Sequence, residues 1–400
     1  MLNDAEKLKL LERPRRREFL PFSPPDIGPE EIDEVADSLR RGWLTTGRKV
    51  AKFEEQFASY VGSKHAVGLS SATAGLFLSL KSLGIGPGDE VITTPYTFIA
   101  SINVILHAGA APVLVDVKRN DFNIDPAKIA AAVTPRTRAV IPVHFAGRPC
   151  DMDAIGIVAA KNDLTVIEDA AHAIGAEYKE KKIGAISRLT VFSLHAVKNV
   201  TAAEGGMAAT DDPALAERIR IMAMHGMNKD AWKRYAPGGT WRYDIVELGY
   251  KCNMMDLQAA IGIHQLAKVE KFRARRQEIV QRYRRGLEDL PELTLPDAPV
   301  DGRHALHLYP LLVDFTNLSI TRDRMIELLA EENVSANVHF IPAHLFSYYR
   351  TEHGYKPGDF PVAEFLSDHE VTLPLYTRLS DDDADDVIAA VRRAIINNRK

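Results

Sequence analysis

The feature that most constrains the fold is a repeated alternation of short β-branched runs with longer helical patterns. The series begins with HAVGLS, SATAGLFLSLKSLG and DEVITTP, and continues through APVLVDV, DPAKIAAAV, RAVIPVHF, MDAIGIVAAKN and LTVIEDA. Parallel strands need a long crossover connection, and a helix is the usual one. The alternation therefore predicts an α/β fold with a mostly parallel central sheet that is covered by helices.

A second unit is indicated where this pattern changes, after Pro291. HLYPLLVDF and a segment around VSANVHF have strand-like composition, whereas ITRDRMIELLAEEN and DDADDVIAAVRRAI have helical patterns. A chain of 400 residues is also long enough for about two domains. We predict an exposed N-terminal leader over 1–20, a large α/β domain over 21–265 and a small C-terminal α+β domain over 266–400.

Charge patterns in the second half of the chain have structural interpretations. Ser380 with Asp383 predicts a capping box at the start of the last helix. A connecting helix is expected from Asp256 to about Leu290. We expect the arginines along it to form a solvated face; they lie at positions 273, 275, 276, 282, 284 and 285.

Composition excludes several classes of function. The net charge of −4 and pI near 6.4 do not favour nucleic acid, and no run of about 18 apolar residues predicts a membrane span. Cys150 and Cys252 lie far apart and form neither a CxxC motif nor a disulfide framework, so no metal site is expected. Asp4, Glu6 and Glu12 interrupt the basic leader, which does not match a transit peptide, and we expect an intracellular protein.

Three short segments at predicted strand ends carry candidate chemistry. The first follows HAVGLS, where Ser70, Ser71, Thr73 and Gly75 lead into a helix. The backbone N–H groups of a helix N-terminus, together with short hydroxyls, can bind a phosphate group. A plain helix N-cap is the alternative interpretation.

The second segment, LTVIEDAAHAIG, ends a buried strand with two adjacent acids. Glu168 and Asp169 must point to opposite faces of the sheet, so only one of them can face the crevice at the strand ends. His172 follows three positions later. A buried carboxylate here could bind a protonated ring nitrogen, a metal ion or a helix terminus, and the residues alone do not distinguish these.

The third segment, VFSLHAVKNVTAAEGG, places Lys198 on a small, polar loop after a strand. Lysine is ordinarily a solvated surface charge. A phosphate-binding helix, a buried acid and a lysine in this order instead favour a Schiff base between the lysine amine and pyridoxal phosphate. A nicotinamide-dependent dehydrogenase is a weaker alternative, because GIGPGD at residues 84–89 follows a helix and does not complete GxGxxG.

These segments also carry a resemblance to a known family. FLPFS, GWLTTG, SSATAGL, GIGPGDEVIT, PVHFAG, VIEDAAHAIG, HAVKNVTAAEGG, DAW, GYKCNMMDLQAAI, VHFIPAH and YYR occur in order along the chain. The sequence resembles the DegT/DnrJ/EryC1/StrS family of nucleotide-sugar aminotransferases. The resemblance implies fold type I of the pyridoxal-phosphate enzymes (aspartate aminotransferase-like), in which the large domain binds the cofactor, and a homodimer with active sites shared between subunits.

The resemblance also implies roles for individual residues. Lys198 matches the catalytic Schiff-base lysine, and Asp169 matches the partner of the pyridinium nitrogen. The other expected cofactor contacts are Thr73, Ala74 and Ser193 at the phosphate, Phe98 and His172 at the ring, and Asn253 from the other subunit. The expected substrate contacts are Thr45, Thr46, His195 and His339, for which loop-shaping or core roles are the alternative. Many relatives have an arginine two residues after the asparagine; here the order is Asn253-Met254-Met255, which leaves the donor-carboxylate site unassigned.

The reaction expected from the resemblance moves an amino group from glutamate, which leaves as 2-oxoglutarate, to the 4-keto group of a nucleotide-linked sugar. Pyridoxamine 5'-phosphate would be the intermediate form of the cofactor. Similarity within the family favours a UDP-4-keto-pentose and a role in lipopolysaccharide or polysaccharide biosynthesis in the bacterial cytoplasm. The alternatives are another NDP-keto-deoxysugar, aminated at C4 or C3, and a non-catalytic member. A sugar dehydratase would carry histidine in place of Lys198.

Overall fold

The structure is a computed structural model that describes residues 3–228, 243–299 and 301–400. The DAW stretch at residues 230–232, which is part of the family resemblance, lies outside the described residues. In the part of the chain that is described, no helix is both long and apolar enough to cross a membrane.

Secondary-structure elements alternate through the first half of the chain. They are α1 (Asp4–Leu11), α2 (Pro29–Arg41), α3 (Arg48–Val61), β1 (His65–Leu69), α4 (Ala72–Ser82), β2 (Glu90–Thr93), α5 (Ala100–Ala108), β3 (Ala111–Leu114), α6 (Pro126–Ala132), β4 (Thr137–Val140), α7 (Met152–Lys161) and β5 (Thr165–Asp169). A hairpin of β6 (Glu177–Tyr178) and β7 (Lys181–Lys182) follows, and then β8 (Leu189–Ser193), β9 (Gly206–Thr210) and α8 (Pro213–Ala223).

The second half is organised around a long helix. Its elements are α9 (Asp256–Leu287), β10 (Leu293–Thr294), β11 (Tyr309–Val313), α10 (Arg322–Glu331), α11 (Ser347–His353), α12 (Pro361–His369), β12 (Glu370–Leu373) and α13 (Asp381–Ile396). The Ser380–Asp383 capping box at α13 is confirmed: the Asp383 N–H donates to the Ser380 side chain, and the Ser380 N–H donates to Asp383.

The large sheet has seven strands in the order β1-β9-β8-β5-β4-β2-β3. β9 is antiparallel to both of its neighbours, and the remaining pairs are parallel. Separate clusters of apolar side chains fill its two faces, one around Phe57 and Phe192, the other around Leu76 and Val191. The predicted α/β fold with a mostly parallel sheet is confirmed, and the carboxyl ends of β1, β5 and β8 meet at one edge.

A second, antiparallel sheet has the order β10-β11-β12 and packs against α9, α10 and α13. The strand expected around VSANVHF is wrong. Only isolated bridges form there, one joining Leu20 to Val334 and another joining Asn337 to Thr372. β12 provides the third strand instead. The predicted domain boundary at residue 265 falls inside α9, and the division into domains stays a prediction.

Residues 3–20 are largely exposed, yet they contain a helix and are fixed by ion pairs. α1 packs on α13. The Arg13 guanidinium lies 2.8 Å from Asp386, and the Arg16 guanidinium lies 2.6 Å from Asp383 and 2.7 Å from Asp386. The basic residues of the leader therefore pair with the acidic first turns of the last helix.

The expectation of a solvated arginine face on α9 is wrong at Arg276. This side chain is buried, and its Nη1 donates to the carbonyl oxygens of Leu375 at 2.6 Å and of Leu306 and His307 at 3.3 Å. Burial lowers the pKa of Arg276 to about 10. Arg276 therefore joins the long helix to two loops of the second unit, around residues 306 and 375.

Replacing Arg276 by methionine should lower the free energy of unfolding by at least about 1–3 kcal/mol, because a buried carbonyl group without a partner costs about that much. The measurement is urea unfolding followed by circular dichroism. Arg285→Met on the exposed side of the same helix is the matched control and should unfold close to wild type. Equal midpoints for the two variants would contradict the structural role of Arg276.

Candidate active site

A cavity of about 510 Å³ opens at the carboxyl ends of β1, β5 and β8. Ligands of open α/β sheets collect at such edges, and this volume lies in the usual range for small-molecule sites. Its wall combines residues of the large sheet with residues of the second unit. Residues that line it include Ser71, Thr73, Phe98, Ser101, Asp169, His172, Ser193, His195, Lys198, Glu204, His307, His339 and Phe340.

The N-terminus of α4 forms one wall of the cavity. Ser71 is the N-cap, and its hydroxyl accepts a hydrogen bond from the Ala74 N–H at 3.0 Å. A Cβ atom on Gly206 would lie 2.3 Å from the carbonyl group of Ser71, so β9 can pass this turn only without a side chain. Ala72 and Thr73 line the cavity at the positive end of the helix, where a phosphate group is stabilised.

The two acids at the end of β5 separate as the strand pleat predicts. Glu168 is fully buried away from the cavity; its Oε2 lies 2.7 Å from His144 Nε2, and its Oε1 accepts from the Thr190 hydroxyl at 3.1 Å. Asp169 lines the cavity and accepts from the Ser101 hydroxyl at 2.7 Å. Burial raises the pKa of Asp169, against the effect of that hydrogen bond. A cation in the cavity would stabilise its charged form.

Lys198 is half-buried on the loop after β8, with its amine in the same cavity as Asp169. Its backbone N–H donates to the His195 carbonyl at 2.9 Å, which fixes the loop. Desolvation lowers the pKa of Lys198 to about 8, although the charge of Asp169 acts in the opposite direction. The amine is therefore neutral, and nucleophilic, at a much lower pH than a surface lysine.

Acetylation should detect this lowered pKa without any cofactor. With acetic anhydride over pH 6–11 and peptide mass spectrometry, half-maximal labelling of Lys198 is expected near pH 8. The exposed Lys161 on α7 is the internal control for access of the reagent to the protein. A labelling midpoint of Lys198 near pH 10, as for an ordinary lysine side chain, would contradict the desolvated environment of Lys198.

His172 lines the cavity with a ring that burial keeps neutral, since desolvation holds its pKa well below the usual value. Its Nδ1 is buried and has no hydrogen-bond partner among the described residues. The ring lies 4.5 Å from that of His307 and is stacked 6.1 Å from Phe340. An unpartnered buried nitrogen at this place is suited to a ligand that supplies a hydrogen bond.

Of the other residues expected from the resemblance, four line the cavity: Phe98, which is 61% exposed, Ser193, His195 and His339. Ala74 does not line it, and its N–H donates to the Ser71 hydroxyl at the start of α4.

Thr45, Thr46 and Asn253 form a separate group outside the cavity wall of this chain. Asn253 Nδ2 donates to the Thr46 hydroxyl at 2.7 Å, and the Thr46 hydroxyl donates to the Met254 carbonyl at 2.5 Å. The Thr45 carbonyl accepts from the Asp256 N–H at 3.1 Å.

Sequence reasoning missed several residues of the cavity wall, among them Ser101, Glu204, His307 and Phe340. His307 was assigned to the strand HLYPLLVDF, but β11 begins two residues later. Its Nδ1 lies 3.1 Å from Asn199 Oδ1. A histidine two residues before a buried strand was the available signal.

The residues present fit pyridoxal phosphate. The helix N-terminus at Ser71–Thr73 suits a phosphate group, Asp169 suits a protonated ring nitrogen, and the amine of Lys198 suits an aldehyde. The unpartnered Nδ1 of His172 adds a buried polar atom that a bound ring could satisfy.

Fold and site together define a class of protein, the pyridoxal-phosphate-dependent aminotransferases built on a mostly parallel α/β sheet. The family model described as "DegT/DnrJ/EryC1/StrS aminotransferase family" matches residues 25–392, and the chain belongs to this family. Its members are sugar aminotransferases that use pyridoxal phosphate, so the predicted enzyme class and cofactor are confirmed.

Individual relatives agree with this assignment. The chain is 52% identical to the spore coat polysaccharide biosynthesis protein SpsC of Bacillus subtilis over 379 residues, which cover 94% of this chain and 97% of SpsC. Spr1654 of Streptococcus pneumoniae, which is named as a sugar aminotransferase, was solved in its pyridoxamine-phosphate form and superimposes with a TM-score of 0.89 at 37% identity. The match covers 94% of this chain and 99% of Spr1654. Helicobacter pylori PseC, an aminotransferase in pseudoaminic acid biosynthesis, gives a TM-score of 0.88 at 29% identity, with 95% and 100% covered.

Proposed function

We propose that this sugar aminotransferase moves an amino group from glutamate to the 4-keto group of a nucleotide-linked sugar, with a UDP-4-keto-pentose as the first substrate to test. The observation that carries the proposal is the desolvated amine of Lys198, which shares one cavity with Asp169 and the N-terminus of α4. Polysaccharide biosynthesis, named for SpsC, supports a sugar substrate that is built into a polymer.

Bound pyridoxal phosphate supplies an aldehyde that carries the amino group and a ring that accepts electrons. Thr73 and the N–H groups at the start of α4 bind the phosphate, and Ser193 lies beside them on the cavity wall. Asp169 keeps a proton on the ring nitrogen through its buried carboxylate. Phe98 and His172, which both line the cavity, would contact the ring.

Lys198 Nζ moves the proton in both halves of the reaction. With a pKa near 8, this amine exchanges a proton readily at neutral pH, which suits a general acid and base. His172, His307 and Phe340 lie on the wall of the same cavity. His195 and His339 lie on the same cavity and are proposed to contact the sugar.

Absorbance spectroscopy tests the proposal. The protein with pyridoxal phosphate should show the visible band of the bound cofactor, and glutamate should convert it to the near-ultraviolet band of pyridoxamine phosphate. UDP-4-keto-pentose and other NDP-keto-deoxysugars are then added in parallel, and recovery of the visible band identifies the accepted sugar. Failure of glutamate to change the spectrum would refute the donor, and failure of every keto-sugar to restore it would refute the acceptor class.

We further propose that the active enzyme is a homodimer in which Asn253 reaches the cofactor phosphate of the other subunit. The support is that Asn253 and Thr46 lie outside the cavity wall of their own chain, and that large apolar side chains are exposed on the chain. Met255 is 43% exposed, and Ile32 and Leu39 on α2 are 60% and 57% exposed. Large apolar side chains that are exposed on a folded chain are typical of a surface that another chain covers.

A mixture of two inactive variants tests the shared site. Lys198→Ala removes the amine, and Asn253→Asp places a negative charge near the phosphate, so each alone should lose activity. After the two are unfolded together and refolded at equal amounts, about half of the dimers are mixed and each has one intact site, which restores about a quarter of wild-type activity. Light scattering should give twice the 44.3 kDa mass of the chain. Absence of recovery in a refolded dimer would contradict the exchange of Asn253.

A further inference from the structure

A row of hydrogen-bonded side chains connects a buried acid to the cavity. Glu370 is fully buried at the start of β12, and its Oε1 is in contact with the hydroxyl of Thr372. The same hydroxyl lies 2.9 Å from Nδ1 of His339, which lines the cavity. The row therefore runs from Glu370 through Thr372 to His339. None of these contacts involves a residue that is proposed to bind the cofactor.

The backbone holds this row in one geometry. The His339 N–H donates to Glu370 Oε2 at 2.8 Å, so the acid is bonded to both ends of the row. Asn337 and Thr372 form a bridge with backbone hydrogen bonds of 3.2 and 2.8 Å. The His339 ring is stacked on Phe22 at 5.5 Å. Rotation of the imidazole is therefore restricted, and Nδ1 stays with Thr372.

This leaves the other ring nitrogen of His339 for the cavity. No hydrogen bond joins Nε2 to another side chain or backbone group within the described parts of the chain. Burial lowers the pKa of His339 to about 3, with the nearby Lys198 acting in the same direction, so the ring is neutral. A neutral imidazole carries one proton, and the bond at Nδ1 decides which nitrogen has it.

The protonation state of Glu370 sets the direction of every bond in the row. When Glu370 is ionised, the Thr372 hydroxyl donates to it, Nδ1–H donates to Thr372, and Nε2 is an acceptor. When Glu370 is protonated, its O–H donates to Thr372, the hydroxyl donates to Nδ1, and Nε2 carries the proton. Burial raises the pKa of Glu370 to about 8, while Arg322 on α10 opposes this rise. Burial raises the pKa of Tyr96, on the loop after β2, and the charge of Glu370 acts in the same direction.

We propose that Glu370 and Thr372 are positioning residues, which act through His339 to present an Nε2–H donor to an oxygen atom of the sugar. This inference rests on the proposed function, in which the substrate is a keto-sugar. A keto oxygen can only accept a hydrogen bond, so the residue that contacts it must be a donor. The protonated form of the row is the one that matches such a substrate. The ionised form would place a lone pair opposite the keto oxygen.

Nitrogen-15 spectra of histidine-labelled protein, loaded with pyridoxal phosphate but without sugar, test the row directly. The His339 signal is assigned by its loss in His339→Gln. In wild type we expect Nε2 to change from protonated to unprotonated with a midpoint near pH 8. In Glu370→Gln the amide donates to Thr372 at every pH, so Nε2 should stay protonated from pH 6 to 9.5.

Substitutions at Thr372 separate positioning from structural support. Thr372→Val keeps the shape and removes both hydrogen bonds, and the pH transition of His339 should disappear. Thr372→Ser retains the hydroxyl and should restore it. Identical spectra for the valine and serine variants, or a pH-independent His339 in wild type, would overturn the proposal.

Kinetics with an accepted keto-sugar provide a second readout. In wild type the KM for the sugar should rise about 2- to 10-fold above pH 8, the effect of one neutral hydrogen bond. Glu370→Gln should abolish this rise, and the half-reaction with glutamate should not change. A rise that persists unaltered in Glu370→Gln would overturn the proposal. If no keto-sugar reacts, the proposed function fails. The nitrogen-15 spectra, which need no sugar, still test whether Glu370 and Thr372 set which nitrogen of His339 is protonated.

Discussion

Replacing Lys198 by alanine is expected to lower the rate of amino transfer by more than about 10⁴-fold. Proton transfer by a positioned side chain contributes about 10²–10⁴-fold, and this change also removes the amine that binds the aldehyde. The rate is measured with glutamate in single turnovers, so that release of product does not limit it. The visible band of the bound cofactor should shift to that of unattached pyridoxal phosphate.

Two variants control this result. Lys198→Arg keeps a positive charge in the cavity but has no amine that can form the bond, and it should be as inactive as the alanine variant. Lys161→Ala removes an exposed lysine from α7 and should keep wild-type turnover. Near-normal transamination by the Lys198→Ala variant would contradict the role of Lys198 as the catalytic lysine.

Replacing Asp169 by asparagine should lower the same rate by about 10²–10³-fold, the usual cost of removing one preorganised charge-stabilising group. The change is nearly isosteric: the amide oxygen can still accept from the Ala171 N–H, and the amide N–H can donate to the Ser101 hydroxyl, so the fold should persist. What is lost is the negative charge that keeps the ring nitrogen protonated. Asp368→Asn on the exposed surface is the control.

The same variant has a readout that requires no cofactor. The charge of Asp169 raises the pKa of Lys198, and without it the acetylation midpoint of Lys198 should fall below pH 8. A rate within a few-fold of wild type, together with an unchanged midpoint, would show that the two side chains do not interact across the cavity.

The parts of the fold that could be predicted are those encoded in short stretches. Alternating β-branched and helical runs predict the large sheet, and the pleat of β5 is enough to separate Glu168 from Asp169. Lys198 is conspicuous because many residues of its segment are small and polar. Such a composition is not typical of a surface helix or a core strand. Family resemblance then supplies the chemistry that spacing alone leaves open.

The rest depends on contacts between distant residues. β12 forms because β11 offers an unpaired edge, and nothing within EVTL distinguishes it from the end of α12. Helical periodicity places Arg276 on α9 but cannot show that the loops around residues 306 and 375 cover it. The pairing of Thr46 with Asn253 joins residues 207 positions apart. Such pairings follow from the packing of whole elements, which local patterns do not contain.

The division of the cavity wall has a consequence for evolution. Lys198, Asp169 and the start of α4 come from the large sheet, whereas His339 and Phe340 come from a short irregular segment of the second unit. That segment has few strand hydrogen bonds to preserve, so mutations can accumulate in it without disturbing the amino-transfer chemistry. Changes within this short segment can therefore alter which sugar is bound, while the residues that carry out amino transfer stay the same.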